Sequence, residues 1–371
     1  MKNYQSAVED LLIPQGIQIS QNTNADVLIH DPRFYARVLR DGSLGLGESY
    51  MDAWWDSPHL DAFLYKLLTA NLEQAVGRNF KLFLLTLQSK VFNLQSIYRA
   101  NRVAQKHYDL GNDLFEMMLD SHLQYSCAYW QNAKNLEEAQ ERKLALICEK
   151  LKLAPGQKLL DIGCGWGGLA AYAAKNYEVE VTGITISKNQ AILAKKRCEG
   201  LPVDIRLQDY RYLNQHFDRV VSVGMFEHVG YKNYAAFMEI TKRCLKKDGL
   251  FLLHCIGGQE SVTKTDAWIH QYIFPNGMMP SAKQIGQAIE NSFVIQDWHN
   301  FGNYYDYTLM AWLKNFKKGW HLISKNYDER FYRMWEYYLC ISAASFRAKK
   351  NHLWQIVLTH PHYPYDYEAV R

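Results

Sequence analysis

The sequence predicts an α/β fold: a doubly wound, Rossmann-like parallel sheet, preceded by a small, mainly helical N-terminal domain. Three observations carry this. From Pro155-Gly156 onward, apolar strand-like runs alternate with helical stretches, the rhythm of a parallel sheet with helices on its faces. The first run, Lys158–Ile162, enters a glycine-rich turn whose G-x-G-x-x-G pattern is complete at Gly163, Gly165 and Gly168. Before residue 95 the apolar spacing is mostly helical.

Taken in order, residues 4–12 place Tyr4, Ala7, Val8, Leu11 and Leu12 on one helical face. That face suits packing within its own domain or lying on a membrane. Val27–Ile29 reads as a strand. Asp31-Pro32 starts a helix over 33–39 that Asp41-Gly42 ends. Residues 60–70 and 80–92 read as further helices, and residues 1–95 as the small domain. The basic stretch Lys90, Arg99, Arg102 and Lys106 is open to reading as linker, membrane-facing patch or solvated face.

A larger domain over 96–371 follows. Its lead-in, 96–154, includes a helix over 136–153. Residues 155–258 carry strands at Lys158–Ile162, 179–184, Val203–Leu207, Phe217–Val223 and 250–255, with helices at 167–176, 188–198 and 233–245. Residues 259–371 are rich in aromatics, among them Trp268, Tyr272, Phe274, Trp298, Phe301, Tyr304, Tyr305, Tyr307 and Trp312. They read as a substrate-facing cover plus the last strands.

Composition narrows the class. The chain has 371 residues, 48% hydrophobic, enough to bury a large core. A net charge of +4 is too small for a dedicated nucleic-acid binder and suits weak attraction to an anionic membrane surface. The longest apolar runs, 82–87 and 220–226, are too short to span a bilayer, and the N-terminus has no signal-peptide pattern. Seven scattered cysteines without a C-x-x-C read as reduced thiols in a cytoplasmic protein. No His/Cys cluster has metal-ligand spacing.

Two ligands compete for the glycine turn. A dinucleotide would need an acidic residue closing the second strand, about 20 residues on. Here that strand ends in Thr185. The D-x-G-x-G form, with Asp161 ahead of the loop, looks more like a class I S-adenosylmethionine methyltransferase, where an acidic side chain can meet the ligand's cationic end.

Further segments resemble one family. They are residues 107–113 (HYDLGND), 124–129 (QYSCAY), 160–168 (LDIGCGWGG), 183–190 (GITISKNQ), 225–229 (MFEHV), 253–257 (LHCIG) and, near the start, 42–51 (GSLGLGESYM). Together they resemble the cyclopropane-fatty-acyl-phospholipid and mycolic acid cyclopropane synthases over nearly the whole chain. The resemblance implies transfer of a methylene from S-adenosylmethionine across a cis double bond of an unsaturated phospholipid in the membrane. An alkene is a poor nucleophile, so the methyl is transferred first and leaves a carbocation. Aromatic faces stabilise such a cation, a dry pocket protects it, and a proton must then leave the new methyl for the ring to close.

The resemblance further implies a bicarbonate ion as general base, caged by Cys127, Glu227, His254, Tyr305 and the backbone of Ile256. Donors for the ion would be His254, Tyr305, the Cys127 thiol and a backbone N–H. Glu227 fits if it accepts the ion's own O–H or orients His254; a direct base role for Glu227 is the alternative. For the cofactor, Tyr125 and Ser126 would meet the methionine end, Asp161, Gly163 and Gly165 would form the loop, and Thr185 and Gln190 would reach the ribose. Asp209 would bind the adenine amino group, with Tyr210 stacking. Ser187 and Gln190 also fit a helix capping box. A homodimer, cytoplasmic and peripheral on the inner membrane, is expected.

One departure concerns the aromatic C-terminal helix. Many relatives carry a cysteine where this chain has Ser342, and Cys340 lies two residues earlier. Two residues turn a helix by about 200°, so Cys340 faces elsewhere. A lipid methyltransferase giving a methyl-branched chain and a non-catalytic lipid-binding relative are the competing readings. Retention of Cys127, Glu227, His254 and Tyr305 argues against the second.

Overall fold

The computed structural model describes residues 2–20, 25–70 and 111–371. The helix expected over 80–92 and the basic stretch from Lys90 to Lys106 lie outside the described residues. The chain divides into two compact units. One is drawn from Met1–Phe92, Lys264–Pro275 and Leu309–Lys350, the other from Asn93–Thr263, Asn276–Thr308 and Asn351–Arg371. The small unit is therefore discontinuous. It takes in two late stretches that the sequence places in the cover of the larger domain.

Packing explains the assignment. In the first unit, helices Lys2–Leu12, Arg33–Asp41, Ser43–Met51 and Leu60–Thr69 accompany three short strands, β1 (Ile19–Ser20), β2 (Val27–Ile29) and β3 (Trp55–Asp56). Trp55 is fully buried and donates its indole N–H to Leu46 O and Ser49 Oγ, both at 3.1 Å. The late helix Glu329–Arg347 closes this unit. Tyr50 Oη donates to Glu336 Oε2 at 2.8 Å and Arg347 pairs with Asp61 at 2.8 Å, each joining residues 286 positions apart. The Arg333 guanidinium lies 4.0 Å from the centre of the Tyr50 ring and pairs with Asp56 at 2.7 Å. A side chain at Gly47 would collide with the Trp268 indole. Helix Ser43–Met51 runs through a glycine-rich string that no helical periodicity announces. Its glycines are packing choices, since a Cβ at Gly45 would stand 2.5 Å from Arg37 O.

The second unit is a seven-stranded sheet of β4 (Lys158–Ile162), β5 (Glu180–Thr185), β6 (Val203–Leu207), β7 (Phe217–Val223), β8 (Leu245–Gly258), β9 (Val294–Asn300) and β10 (Asn351–Thr359). The spatial order is β6-β5-β4-β7-β8-β10-β9. The pairs from β6 to β8 are parallel; β10 runs antiparallel to both β8 and β9. The five expected core strands all form. β8 alone is clearly longer, because its first residues are too polar to read as a strand. Connecting helices Gly168–Tyr177, Lys188–Arg197 and Tyr234–Cys244 fall within a residue or two of expectation.

The sheet has two apolar layers, one around Phe226, Phe237 and Phe251, the other around Leu159, Ala170 and Leu252. The chain moves outward from β4 to β6, then returns to β7 on the other side of β4. In such sheets the crevice beyond the carboxyl ends of the strands flanking this reversal holds the ligand. Among the described residues no helix is long and apolar enough to cross a membrane.

Candidate active site

The glycine turn sits at that reversal. The N–H groups of Gly163 and Cys164 both donate to Ile184 O at 3.0 Å, tying the loop to β5. Gly163 and Gly165 have φ of 89° and 54°, a left-handed conformation that glycine adopts without steric cost. The three motif glycines differ in what surrounds them. A Cβ at Gly163 would press on Met225, just past β7, at 2.7 Å; one at Gly165 would enter open space; one at Gly168 would collide with His122 O and the Gln124 amide. Gly165 thus leaves room for a ligand. Gly168 leaves room for a protein strap.

That strap, residues 120–129, is held from several sides. The Asp120 carboxylate accepts from His122 N and Gln124 N, each at 2.9 Å. Helix Leu136–Lys150 adds two side chains one turn apart. Gln140 Nε2 donates to Gln124 O at 3.2 Å and Ser126 O at 2.9 Å; Lys143 Nζ donates to Gln124 Oε1 and, at 3.0 Å, to Ser126 Oγ. Tyr125 rests edge-on against Phe115 at 5.1 Å, and Phe115 lies 4.9 Å from Trp166 of the loop. Ser126 and Tyr125 therefore lie in one body with the glycine turn.

Electrostatics point the same way. Asp161 is buried, its Oδ2 lacks a hydrogen-bond partner among the described residues, and burial pushes its carboxyl up to about 7 against the pull of Lys143. Burial in turn brings Lys143 down to about 8. An orphaned carboxyl oxygen beside an open glycine turn fits the cationic end of S-adenosylmethionine.

The other residues expected at the cofactor are placed less uniformly. Thr185 Oγ1 donates to Gln190 Oε1 at 2.9 Å, and Ser187 Oγ accepts from Gln190 N at 3.3 Å. Ser187 therefore caps its helix, while the Gln190 side chain turns to Thr185 rather than completing a capping box. Asp209 caps the turn Tyr210–Tyr212 and pairs with Arg211 at 3.2 Å. Tyr210 is buried in the core, edge-on to Phe237 at 5.2 Å with Arg211 over its ring. A stacking role for Tyr210 finds no support in this packing.

Beyond β7 and β8 lies the second polar group. Glu227 occupies the turn Phe226–His228. Its Oε1 accepts from Ile256 N at 2.7 Å, its Oε2 has no partner among the described residues, and burial raises its carboxyl to about 7 despite that bond. The Ile256 N–H expected to serve an ion is thus engaged by Glu227. His254, on β8, is buried and kept neutral by burial, with the positive charges of Lys143 and Lys150 adding to the effect. Its Nδ1 lies 3.3 Å from Gln355 Nε2 and its Nε2 has no partner among the described residues.

Cys127 follows Ser126 on the strap. It is fully buried, its thiol is raised well above its ordinary value by burial, and it donates to Ala128 O at 3.3 Å. Ala128 N donates to Thr308 Oγ1 at 3.1 Å, which ties the strap to the start of helix Asn303–Ile323, where Tyr305 is buried. Phe301, just before that helix, lies 6.0 Å from the His254 ring, 5.3 Å from Tyr129 and 6.1 Å from Tyr304. Strap, β8 and helix start are therefore joined by an aromatic layer of the kind a cationic transition state favours. The remaining aromatics divide: Trp298 packs on Trp354 at 5.2 Å, whereas Trp268, Tyr272, Phe274 and Trp312 belong to the first unit, as do Cys340 and Ser342. Among the described residues no group of three His, Cys, Asp or Glu could hold a metal ion.

Lys143, Gln140 and Gln355 escape a reading of motifs. Their signal is a polar residue at an inward position: Gln140 and Lys143 share the buried face of a helix with Ala139 and Leu144, and Gln355 interrupts the apolar run of β10.

A seven-stranded α/β sheet with an open glycine turn at its reversal point, covered by a strap and preceded by an orphaned acid, defines a class I S-adenosylmethionine-dependent methyltransferase. Comparison with known proteins specifies which. The family model for mycolic acid cyclopropane synthetase matches residues 95–356, and the chain belongs to that family. It is 54% identical over 357 residues to the cyclopropane-fatty-acyl-phospholipid synthase of Escherichia coli (strain K12), covering 96% of this chain and 94% of the relative. Among solved structures it resembles a cyclopropane synthase from Mycobacterium tuberculosis, with a TM-score of 0.66 and 32% identity over 70% of this chain and 97% of that one. A mycolic acid cyclopropane synthase complexed with SAH and CTAB is equally similar, with a TM-score of 0.66 and 31% identity, again over 70% and 97% of the two chains.

Proposed function

We propose that the lipid this enzyme cyclopropanates is a membrane phospholipid with a cis-unsaturated acyl chain, and that ring closure depends on a bicarbonate ion held by Cys127, Glu227, His254 and Tyr305. The single observation that supports the ion is a pair of buried atoms without partners among the described residues, His254 Nε2 and Glu227 Oε2. A buried polar group left unpaired is costly, and an ion with both acceptor oxygens and an O–H would satisfy both.

The chain's residues then divide the work. Asp161 and the strap bearing Tyr125 and Ser126 would hold the cofactor at the turn around Gly165. The methyl group passes to one alkene carbon as its bond to sulfur breaks, leaving positive charge on the neighbouring carbon. The aromatic layer around Phe301 and Tyr129 shields that charge from water. When bound, bicarbonate supplies the base that takes the proton from the new methyl, whose C–H electron pair closes the ring. His254 and Tyr305 would hold the ion as donors. Glu227, poised near 7, accepts its O–H when ionised. The chain acts at the membrane surface from the cytoplasmic side, as a homodimer.

Incubation with S-adenosylmethionine and vesicles of unsaturated phospholipid, read by lipid mass spectrometry, tests the substrate. A cyclopropane product gains one CH2; a methyl-branched saturated chain would be two hydrogens heavier. Rates in degassed and bicarbonate-supplemented buffer test the ion: unchanged rates would assign the proton to a side chain, with Glu227 first in line.

A further inference from the structure

His254 and Gln355 are register partners across β8 and β10, and Gln355 is in turn opposite His299 on β9. Directly opposed residues of antiparallel strands share a face of the sheet, so the three side chains form one row. Both His254 and Gln355 are buried, at 1% and 0% exposure. His299 is engaged elsewhere, its Nδ1 lying 3.1 Å from Lys150 Nζ. The Gln355 amide nitrogen, 3.3 Å from His254 Nδ1, can only donate. With the amide in this orientation, its oxygen left without a partner among the described residues, Nδ1 accepts, and in a neutral imidazole the proton then resides on the other nitrogen. That nitrogen, Nε2, is the one without a partner among the described residues.

We propose that Gln355 is a positioning residue for the reaction: it fixes His254 as the neutral tautomer whose proton is on Nε2, so that the ring presents a donor to the active site. The inference rests on the reading that His254 serves the reacting centre, and it deepens that reading by naming the group that sets its protonation pattern. A carboxylate in place of the amide would accept from Nδ1–H and reverse the tautomer. An aliphatic residue would leave the ring unbiased. Neither change touches the strap or the glycine turn, so cofactor binding should not follow His254.

The test uses the full-length enzyme labelled with 15N-histidine. Long-range 1H–15N spectra report which ring nitrogen is protonated, and His254→Gln assigns the signal. In the wild type, an unprotonated Nδ1 and a protonated Nε2 are expected at His254; the opposite pattern overturns the proposal without any variant at Gln355. Gln355→Glu should move the proton to Nδ1 and lower kcat at least tenfold, with KM for S-adenosylmethionine within about threefold. A switched tautomer with unchanged kcat, or a lost kcat with the wild-type tautomer, also overturns it. The ion reading fails separately, through rates indifferent to bicarbonate, and the tautomer spectra do not depend on that result.

Discussion

The ammonium of Lys143 lies 3.0 Å from the hydroxyl of Ser126, inside the protein and without exposure to solvent. A buried cation is costly unless its donors are used; here they brace the strap that covers the glycine turn. Lys143→Met should keep the volume and lose the brace. Affinity for S-adenosylhomocysteine is expected to fall roughly tenfold, the equivalent of about 1.4 kcal/mol. Because burial brings this ammonium down to about 8, wild-type affinity should weaken as pH rises through that value, and the variant should lose that dependence. Calorimetry across the range decides it; equal affinities would remove Lys143 from the cofactor site.

The three motif glycines should separate in their effects. Gly165→Asn, a residue that tolerates the left-handed φ of 54°, points a side chain into the open space of the turn and should abolish detectable cofactor binding in a protein that still folds. Gly168→Ala collides with the strap at His122 and Gln124, so it should lower the melting temperature as well as the affinity. Melting curves and calorimetry on both variants check the contrast. A Gly168→Ala variant as stable as wild type would show that the strap yields.

Glu227 has a folded value raised to about 7 from an ordinary 4.5. Its folded form therefore binds a proton more tightly than its unfolded form. The stability this contributes is fully present below 4.5 and is lost as pH rises through 7. Glu227→Gln keeps an oxygen for Ile256 N–H and removes the buried charge. In the absence of ligands it should be more stable than wild type at pH 8, by at most on the order of 3 kcal/mol, while losing most turnover. Denaturant melts at acid and mildly alkaline pH test the sign. A variant no more stable than wild type at pH 8 would refute it.

Tyr50 and Glu336 close the discontinuous first unit. Tyr50→Phe leaves Glu336 with Lys317 at 2.6 Å but unpairs the oxygen facing Tyr50. A loss of about 1–2 kcal/mol is expected, seen as a lower melting midpoint. No change would mean that the bond is replaced by water.

Membrane association should be electrostatic and peripheral. Flotation with anionic vesicles is expected to weaken as salt rises, since screening shortens the reach of a modest positive charge. Equal binding at low and high salt would leave apolar contact as the cause.

How much of this was legible in the chain depends on range. The five core strands, their helices and the glycine turn follow from patterns a few residues long, because alternating apolar periods and a left-handed turn are local demands of backbone geometry. Asp161, Glu227 and His254 were visible because each stands near or just beyond the carboxyl end of such a strand. The rest needed contacts between distant segments. Sequence spacing could not show that helix Glu329–Arg347 belongs with Tyr50 and Asp61, since a hydrogen bond and an ion pair across 286 positions leave no periodicity. Nor could it show that Gly168 yields to a strap, or that the Ile256 N–H is occupied by Glu227. The same holds for Lys143 beneath Ser126 and for Gln355 beside His254. Each is a polar side chain on a buried face whose meaning is its partner, and only the register of strands and the packing of a helix decide who that partner is.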